Sequence, residues 1–297
     1  MNTPFALRRA AMITAALLVA ACGAAPAEPS VAPAASAAPA ANATAPGSST
    51  VHTGLLSEED FKALHELRTD KAPPSRGAMI DIAGNRAYLS IPKDAKPPLP
   101  AVLVIHEWWG LNDNIMHWTD RLAEDGYAAL AVDLYGGKVG KTPDEAMALM
   151  KAVEDDKAVA NLRASHKFLT TDPRIMAPRT ASIGWCFGGA WSLQEGLNEP
   201  EIDAVVMYYG RPVTDPAKLK VIKAPLLGVF GNMDKSIPPD TVNTFDKALK
   251  DAGVNHEILR YDADHAFANP SNPHYDTKSA GDAWEHVRAF LAKKLKG

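Results

Sequence analysis

Gly184-Trp185-Cys186-Phe187-Gly188 is the stretch that decides the fold. It spells G-x-C-x-G, the nucleophile-elbow pattern with cysteine where serine is usual. Thr180-Ala181-Ser182-Ile183 runs into it as an apolar strand, and Gly188-Gly189-Ala190-Trp191-Ser192-Leu193 leaves it as the start of a helix. A strand, a sharp turn and a helix in that order lift a side chain above a sheet edge, and the glycines let neighbouring backbone cross close by. The helix N-terminus favours negative charge, and so a thiolate at Cys186. The competing reading is a buried cysteine in a Gly-rich turn; three further residues that fit the same site weigh against it.

Outward from this turn, strands and helices alternate. Ala101-Val102-Leu103-Val104-Ile105 is a continuous apolar run, as expected of a strand covered on both faces. Residues 127–132, 204–209, 225–230 and 258–261 read as further strands, and 79–91 as a hairpin turning at Gly84-Asn85. Helices are expected over 55–67, 115–124 with Gly126 as its stop, 143–156, 157–170, 240–251 with Asp240 as N-cap and Gly253 at its end, and 279–295. Such alternation predicts an α/β fold, with a mainly parallel central sheet and helices on both faces.

A cysteine nucleophile needs a base and a group to orient that base. In α/β-hydrolases these follow the nucleophile in the order acid, then histidine. Asp234 follows the strand ending at Phe230, and His265 follows the strand ending at Tyr261. Both are therefore expected on loops at the sheet edge that carries Cys186, where ligand sites of such sheets collect. A single post-strand Asp is ordinarily a turn or cap residue, and a single His is ordinarily structural. Their order and placement together predict a Cys186–His265–Asp234 triad. Asp262 and Asp264 stand too near His265 in sequence to match the pattern. After the central strand comes His106-Glu107-Trp108-Trp109-Gly110. The Trp108 amide is assigned to an oxyanion hole, together with that of Phe187, the residue after the nucleophile. His106-Glu107 invites a zinc reading, but H-E-x-x-H needs a second histidine where Gly110 stands. No metal and no cofactor are expected, and Glu107 becomes a candidate for governing the sulfur's protonation.

With these residues in view, the chain resembles the dienelactone hydrolase family over roughly residues 75 to 295. The resemblance rests on five stretches whose order and spacing agree: His106-Glu107-Trp108-Trp109-Gly110-Leu111-Asn112, Asp133-Leu134-Tyr135-Gly136-Gly137, Gly184-Trp185-Cys186-Phe187-Gly188-Gly189, the Asp234 loop, and His265-Ala266-Phe267. It implies an α/β-hydrolase fold, catalytic roles for Cys186, Asp234 and His265, and at Glu107 a glutamate that keeps the thiol neutral until substrate binds. The implied reaction is attack of Cys186 on a small-molecule lactone or ester, giving a thioester that water then hydrolyses. The resemblance also implies two arginines that hold the substrate carboxylate. Their places are taken here by Gly137, with Lys138 next, and by Asn269. Neither glycine nor asparagine can form the bidentate pair, so the reaction class carries over and the substrate does not. Trp109, Tyr135, Tyr208 and Tyr209 are candidate pocket walls or, equally, core aromatics.

The N-terminus reads as an export segment. Arg8 and Arg9 give a basic start, and residues 10–21 form an apolar run too short to span a bilayer as an ordinary helix. Val19-Ala20-Ala21-Cys22 resembles a bacterial lipobox, implying cleavage before Cys22 and lipidation of its thiol; an ordinary secretory signal is the alternative. Residues 22–50 are dominated by Ala, Pro, Ser, Gly and Thr and cannot bury enough apolar surface to order. They read as a tether reaching roughly 30 Å, ahead of an α/β-hydrolase domain over 51–297. Gly23 lacks the aspartate that retains many lipoproteins at the inner membrane, so the expectation is an exported lipoprotein, facing the periplasm or on the outer membrane. The net charge of -4 gives no electrostatic case for nucleic acid. With Cys22 in the export segment, Cys186 has no partner for a disulfide or a dithiol redox cycle. A monomer is expected, touching the membrane through its anchor. The alternative from another class is a non-catalytic ligand-binding lipoprotein on the same fold.

Overall fold

The computed structural model describes residues 52–53, 56–57, 59, 62 and 74–297. The expected signal, the tether and Cys22 lie outside the described residues. Strands β1 (His52–Thr53) and β2 (Leu56–Ser57) pair antiparallel. The helix expected from residue 55 therefore does not include Leu56 and Ser57; Glu59 and Lys62 are helical, and the rest of that segment lies outside the described residues. There follow β3 (Ala78–Ile82), β4 (Asn85–Ser90), β5 (Ala101–Ile105), α1 (Asp113–Glu124), β6 (Ala128–Val132), α2 (Pro143–Lys151), α3 (Asp155–Thr171), β7 (Thr180–Trp185), α4 (Phe187–Asn198), β8 (Ala204–Tyr208), α5 (Pro216–Leu219), β9 (Leu226–Gly231), α6 (Pro239–Ala252), β10 (His256–Tyr261) and α7 (Thr277–Leu295).

The sheet runs β10-β9-β8-β7-β5-β6-β4-β3. Strands β10 through β6 in that order pair parallel, and the β3–β4 hairpin closes one edge antiparallel. The apolar runs explain the centre. Every residue of β5 and β6 is buried, because alternate side chains enter two different cores. Val102 and Val104 join Trp118 and Leu122 of α1 and Trp284, Val287 and Leu291 of α7. Leu103 and Ile105 join Ala158, Leu162 and Leu169 of α3 on the other face, where Val242, Phe245 and Leu249 of α6 also pack on β8 and β9.

The helices expected from 115 and 279 and the strand expected from 258 each begin two residues earlier, and three other departures have local reasons. The hairpin turns at Ala83-Gly84, one residue early, with φ of 53° and 83°. A two-residue turn of this hand needs both central residues left-handed, and Asp81 Oδ1 accepts the Gly84 N–H at 2.9 Å. The helices expected to meet after Asp156 instead break between Lys151 and Asp155, so that Asp155 and Asp156 open α3; two acidic residues suit a helix N-terminus better than a C-terminus. Asp240 is not an N-cap. Pro238 is the N-cap and Pro239 the first helical residue, leaving Asp240 inside the first turn, since proline has no N–H to leave unsatisfied there.

One buried group lies far from any chemistry in the sequence. Glu195 of α4 is 2% exposed, and its Oε1 has no hydrogen-bond partner among the described residues. Burial, with the Glu199 charge beside it, pushes its pKa up to about 8, against the pull of Arg163. Because the folded pKa exceeds the unfolded one, stability is fully present below the ordinary carboxyl range and is lost as pH rises toward 8. Glu195→Gln is expected to flatten this slope and raise stability at pH 8 by on the order of a few kcal/mol. Urea melts of both proteins at pH 5 and pH 8 check it; parallel pH dependences would refute it.

Candidate active site

Parallel strands end at one edge, and the loops leaving β5, β7, β8, β9 and β10 converge there. Cys186 is the N-cap of α4 and sits at φ 54°, ψ −115°, a conformation that costs a non-glycine residue energy and is kept only when its surroundings enforce it. Here they do. A Cβ at Gly184 would stand 2.1 Å from Gly188 O, and one at Gly188 would stand 2.2 Å from Ile105 O. Backbone therefore crosses backbone where no side chain fits, and the Cys186 N–H is tied to Tyr208 O at 3.0 Å. The thiol is buried, 6% exposed, and in no disulfide.

His265 Nδ1 meets Asp234 Oδ2 at 2.7 Å, and the ring lies near enough to the Cys186 sulfur for the two to interact electrostatically. Asp234 Oδ1 accepts the N–H groups of Ser236 at 2.7 Å and Ile237 at 2.9 Å, which fixes the carboxylate. Burial disfavours its charge, but His265 and those two amides outweigh burial and hold Asp234 below the ordinary carboxyl range. Burial likewise opposes a charged His265, yet the Asp234 carboxylate and the Cys186 sulfur together hold its pKa well above the usual imidazole value.

Glu107 is 5% exposed on the loop after β5. Burial pushes its pKa up to about 7, restrained by His265 and by a hydrogen bond from Asn269. Asn269 Nδ2 donates to Glu107 Oε2. Its Oδ1 accepts from Asn114 Nδ2 at 2.9 Å, Ser271 N at 2.8 Å and Ser271 Oγ at 2.6 Å, so the amide cannot turn over. This role is not visible in the sequence, where Asn269 shows itself only as a missing arginine; its partner lies 162 residues away. At the other such position, a Cβ on Gly137 would stand 2.7 Å from Arg86 Nη1, so the Arg86 side chain occupies that space.

Of the candidate pocket aromatics, the Tyr209 ring lies 5.1 Å from His265, and Tyr135 lies 5.5 Å from Phe187. Burial raises the pKa of both phenols, so they stay protonated. Both hydroxyls are buried with no hydrogen-bond partner among the described residues. Trp109 packs on Trp108 at 4.9 Å. Tyr208 stacks on Trp185 at 5.5 Å and packs edge to face on Tyr209 at 5.9 Å, and both rings belong to the core.

A parallel sheet with a strained thiol turn and an Asp–His pair at its carboxyl edge defines an α/β-hydrolase, a hydrolase acting on ester bonds. The chain belongs to the Dienelactone hydrolase family, whose pattern matches residues 85–295. It is 34% identical over 233 residues to "Protein usf" of Aquifex pyrophilus, covering 74% of this chain and 99% of that one. It is 32% identical over 238 residues to a "Putative carboxymethylenebutenolidase" of Synechocystis, covering 73% and 94%. Among solved structures, a "Putative Dienelactone Hydrolase" of Klebsiella pneumoniae superposes with a TM-score of 0.68 at 30% identity, covering 74% of this chain and 99% of that one.

Proposed function

We propose that the protein hydrolyses an uncharged carboxylic ester or lactone through a thioester on Cys186. The observation that carries this reading is the chain of contacts Asp234–His265–Cys186 ending on a strained helix N-cap. The Cys186 thiolate attacks the carbonyl carbon, a C–S bond forms, and the carbonyl electron pair moves onto oxygen. The Trp108 and Phe187 amides receive that oxyanion. His265, as imidazolium, gives its proton to the departing alkoxide. The neutral ring then takes a proton from water as water attacks the thioester, and the sulfur leaves with its electron pair. Before attack the Cys186 proton passes to His265, and Glu107, which exchanges a proton near neutral pH, biases that transfer through its charge beside the imidazolium.

The neutral substrate class follows from what lines the site. Asn269 is committed to Glu107, and beside Gly137 the guanidinium of Arg86 belongs to a solvent-exposed side chain, so a buried two-arginine clamp for a carboxylate is absent among the described residues. The test compares p-nitrophenyl acetate with dienelactone, which carries a carboxylate. The neutral ester should give the higher kcat/KM, and a preference for dienelactone would sink this substrate assignment.

Glu107 supplies a pH prediction. An inflection near pH 7 is expected in kcat/KM, and Glu107→Gln should abolish it. The Asn269 hydrogen bond lowers the Glu107 pKa, so Asn269→Ala should move the inflection to higher pH. An unmoved profile in both variants would detach Glu107 from the proton balance of the site.

The lipobox-like Val19-Ala20-Ala21-Cys22 supports export as a lipoprotein anchored through Cys22, with residues 22–50 as a tether that holds the 51–297 enzyme clear of the headgroups. Labelled palmitate should enter the full chain expressed in a bacterium and fail to enter Cys22→Ser. Equal labelling of the two excludes an anchor at Cys22.

A further inference from the structure

His106 has no part in the reaction above, although it bonds the Glu107–Trp108 peptide and stacks on Phe187. It follows β5, is 0% exposed, and its ring nitrogens have different partners. Nε2 accepts the Leu134 backbone N–H at 3.1 Å. That nitrogen must then be unprotonated, which puts the ring proton on Nδ1. Nδ1–H donates to the Glu107 carbonyl oxygen at 2.6 Å, and the same carbonyl accepts the Gly110 N–H at 3.1 Å. Burial keeps the ring neutral against the pull of the Asp133 carboxylate, so this tautomer persists. The ring stacks on Phe187 at 5.6 Å and 17°, with Tyr135 edge-on at 4.6 Å.

The Glu107 carbonyl and the Trp108 N–H are opposite ends of one planar trans peptide, so they point in opposite directions. Holding the carbonyl fixes the direction of the N–H, and a donor on the carbonyl polarises the N–H into a stronger donor. We infer that His106 is the positioning residue of the oxyanion site: its Nδ1–H orients and polarises the Trp108 amide while its ring braces Phe187. This rests on the oxyanion reading proposed above. His106 touches no reacting atom and acts through one peptide plane and one ring face.

Two substitutions separate the two nitrogens. Asparagine reaches the Nδ1 position with an amide N–H, so His106→Asn keeps a donor for Glu107. Glutamine reaches the Nε2 position with its carboxamide, so His106→Gln keeps an acceptor for Leu134 and loses the donor. With the full chain and p-nitrophenyl acetate, His106→Gln should lower kcat about tenfold or more with KM within about twofold. His106→Asn should restore kcat to within about threefold of wild type. Cys186 alkylation by iodoacetamide forms no oxyanion and should proceed at the wild-type rate in both. Wild-type kcat in His106→Gln overturns the inference, and so does a parallel loss of alkylation and turnover in both variants, which marks a structural role. Should His106→Gln fail to fold, 15N NMR of the wild-type imidazole decides: a proton held on Nδ1 from pH 5 to 9 supports the inference, and a proton on Nε2 overturns it. A wild-type protein that turns over no ester removes the proposed function and this inference together. Turnover in wild type that His106→Gln matches removes the inference and leaves the function standing.

Discussion

Cys186→Ala is expected to lower kcat for p-nitrophenyl acetate by roughly ten-thousand-fold, with the protein still folded. The side chain is small and buried, and the strained backbone at φ 54° is imposed by glycine-lined crossings that alanine leaves untouched. The loss should therefore fall on chemistry. The nucleophile, the sulfur that His265 contacts and the site of the thioester are removed together, and what remains is the oxyanion site acting on bound ester and water. Mass spectrometry of quenched wild-type enzyme should find the acyl group on Cys186 and none in the variant. An alanine variant that keeps wild-type turnover would falsify the nucleophile assignment.

Asp234→Asn is the second large effect, with kcat expected to fall about a thousandfold or more while KM stays within a few-fold. The geometry makes the reason specific. The Ser236 and Ile237 amides both donate to Asp234 Oδ1, so an asparagine would place its own oxygen there and turn its NH2 toward His265. That NH2 would donate to Nδ1, driving the ring proton to Nε2, the nitrogen that should take the proton of Cys186. The imidazolium would also lose its buried counter-charge. The pH profile separates this from a packing defect, because the imidazolium in Asp234→Asn should ionise at lower pH than in wild type. A variant with full kcat would show that His265 needs no carboxylate.

Much of this was legible in the chain because local rules carried it. Apolar runs of five or six residues read as buried strands, and β5 and β6 are buried from end to end. Gly253 after a periodic segment read as a helix stop, and it ends α6 in the left-handed conformation. Some of the boundaries that moved were set by competing local signals, the Asp155-Asp156 pair and the Pro238-Pro239 entry to α6 among them. The pocket aromatics were not legible, because Tyr208 and Tyr209 are both buried and pack edge to face at 5.9 Å, and spacing does not say that only Tyr209 also reaches His265 while Tyr208 stacks on Trp185.

By itself the sequence determined the strand–turn–helix at Cys186, the parallel sheet, and the chain order of Asp234 and His265, since each depends on periodicity and on glycine at particular positions. Tertiary structure decided the partners. Asn269 meets Glu107 across 162 residues, and His106 holds the Glu107 carbonyl. A hydrogen bond is a matter of a few tenths of an ångström and a direction, and both are fixed only when loops from distant strands pack against one another at the same edge.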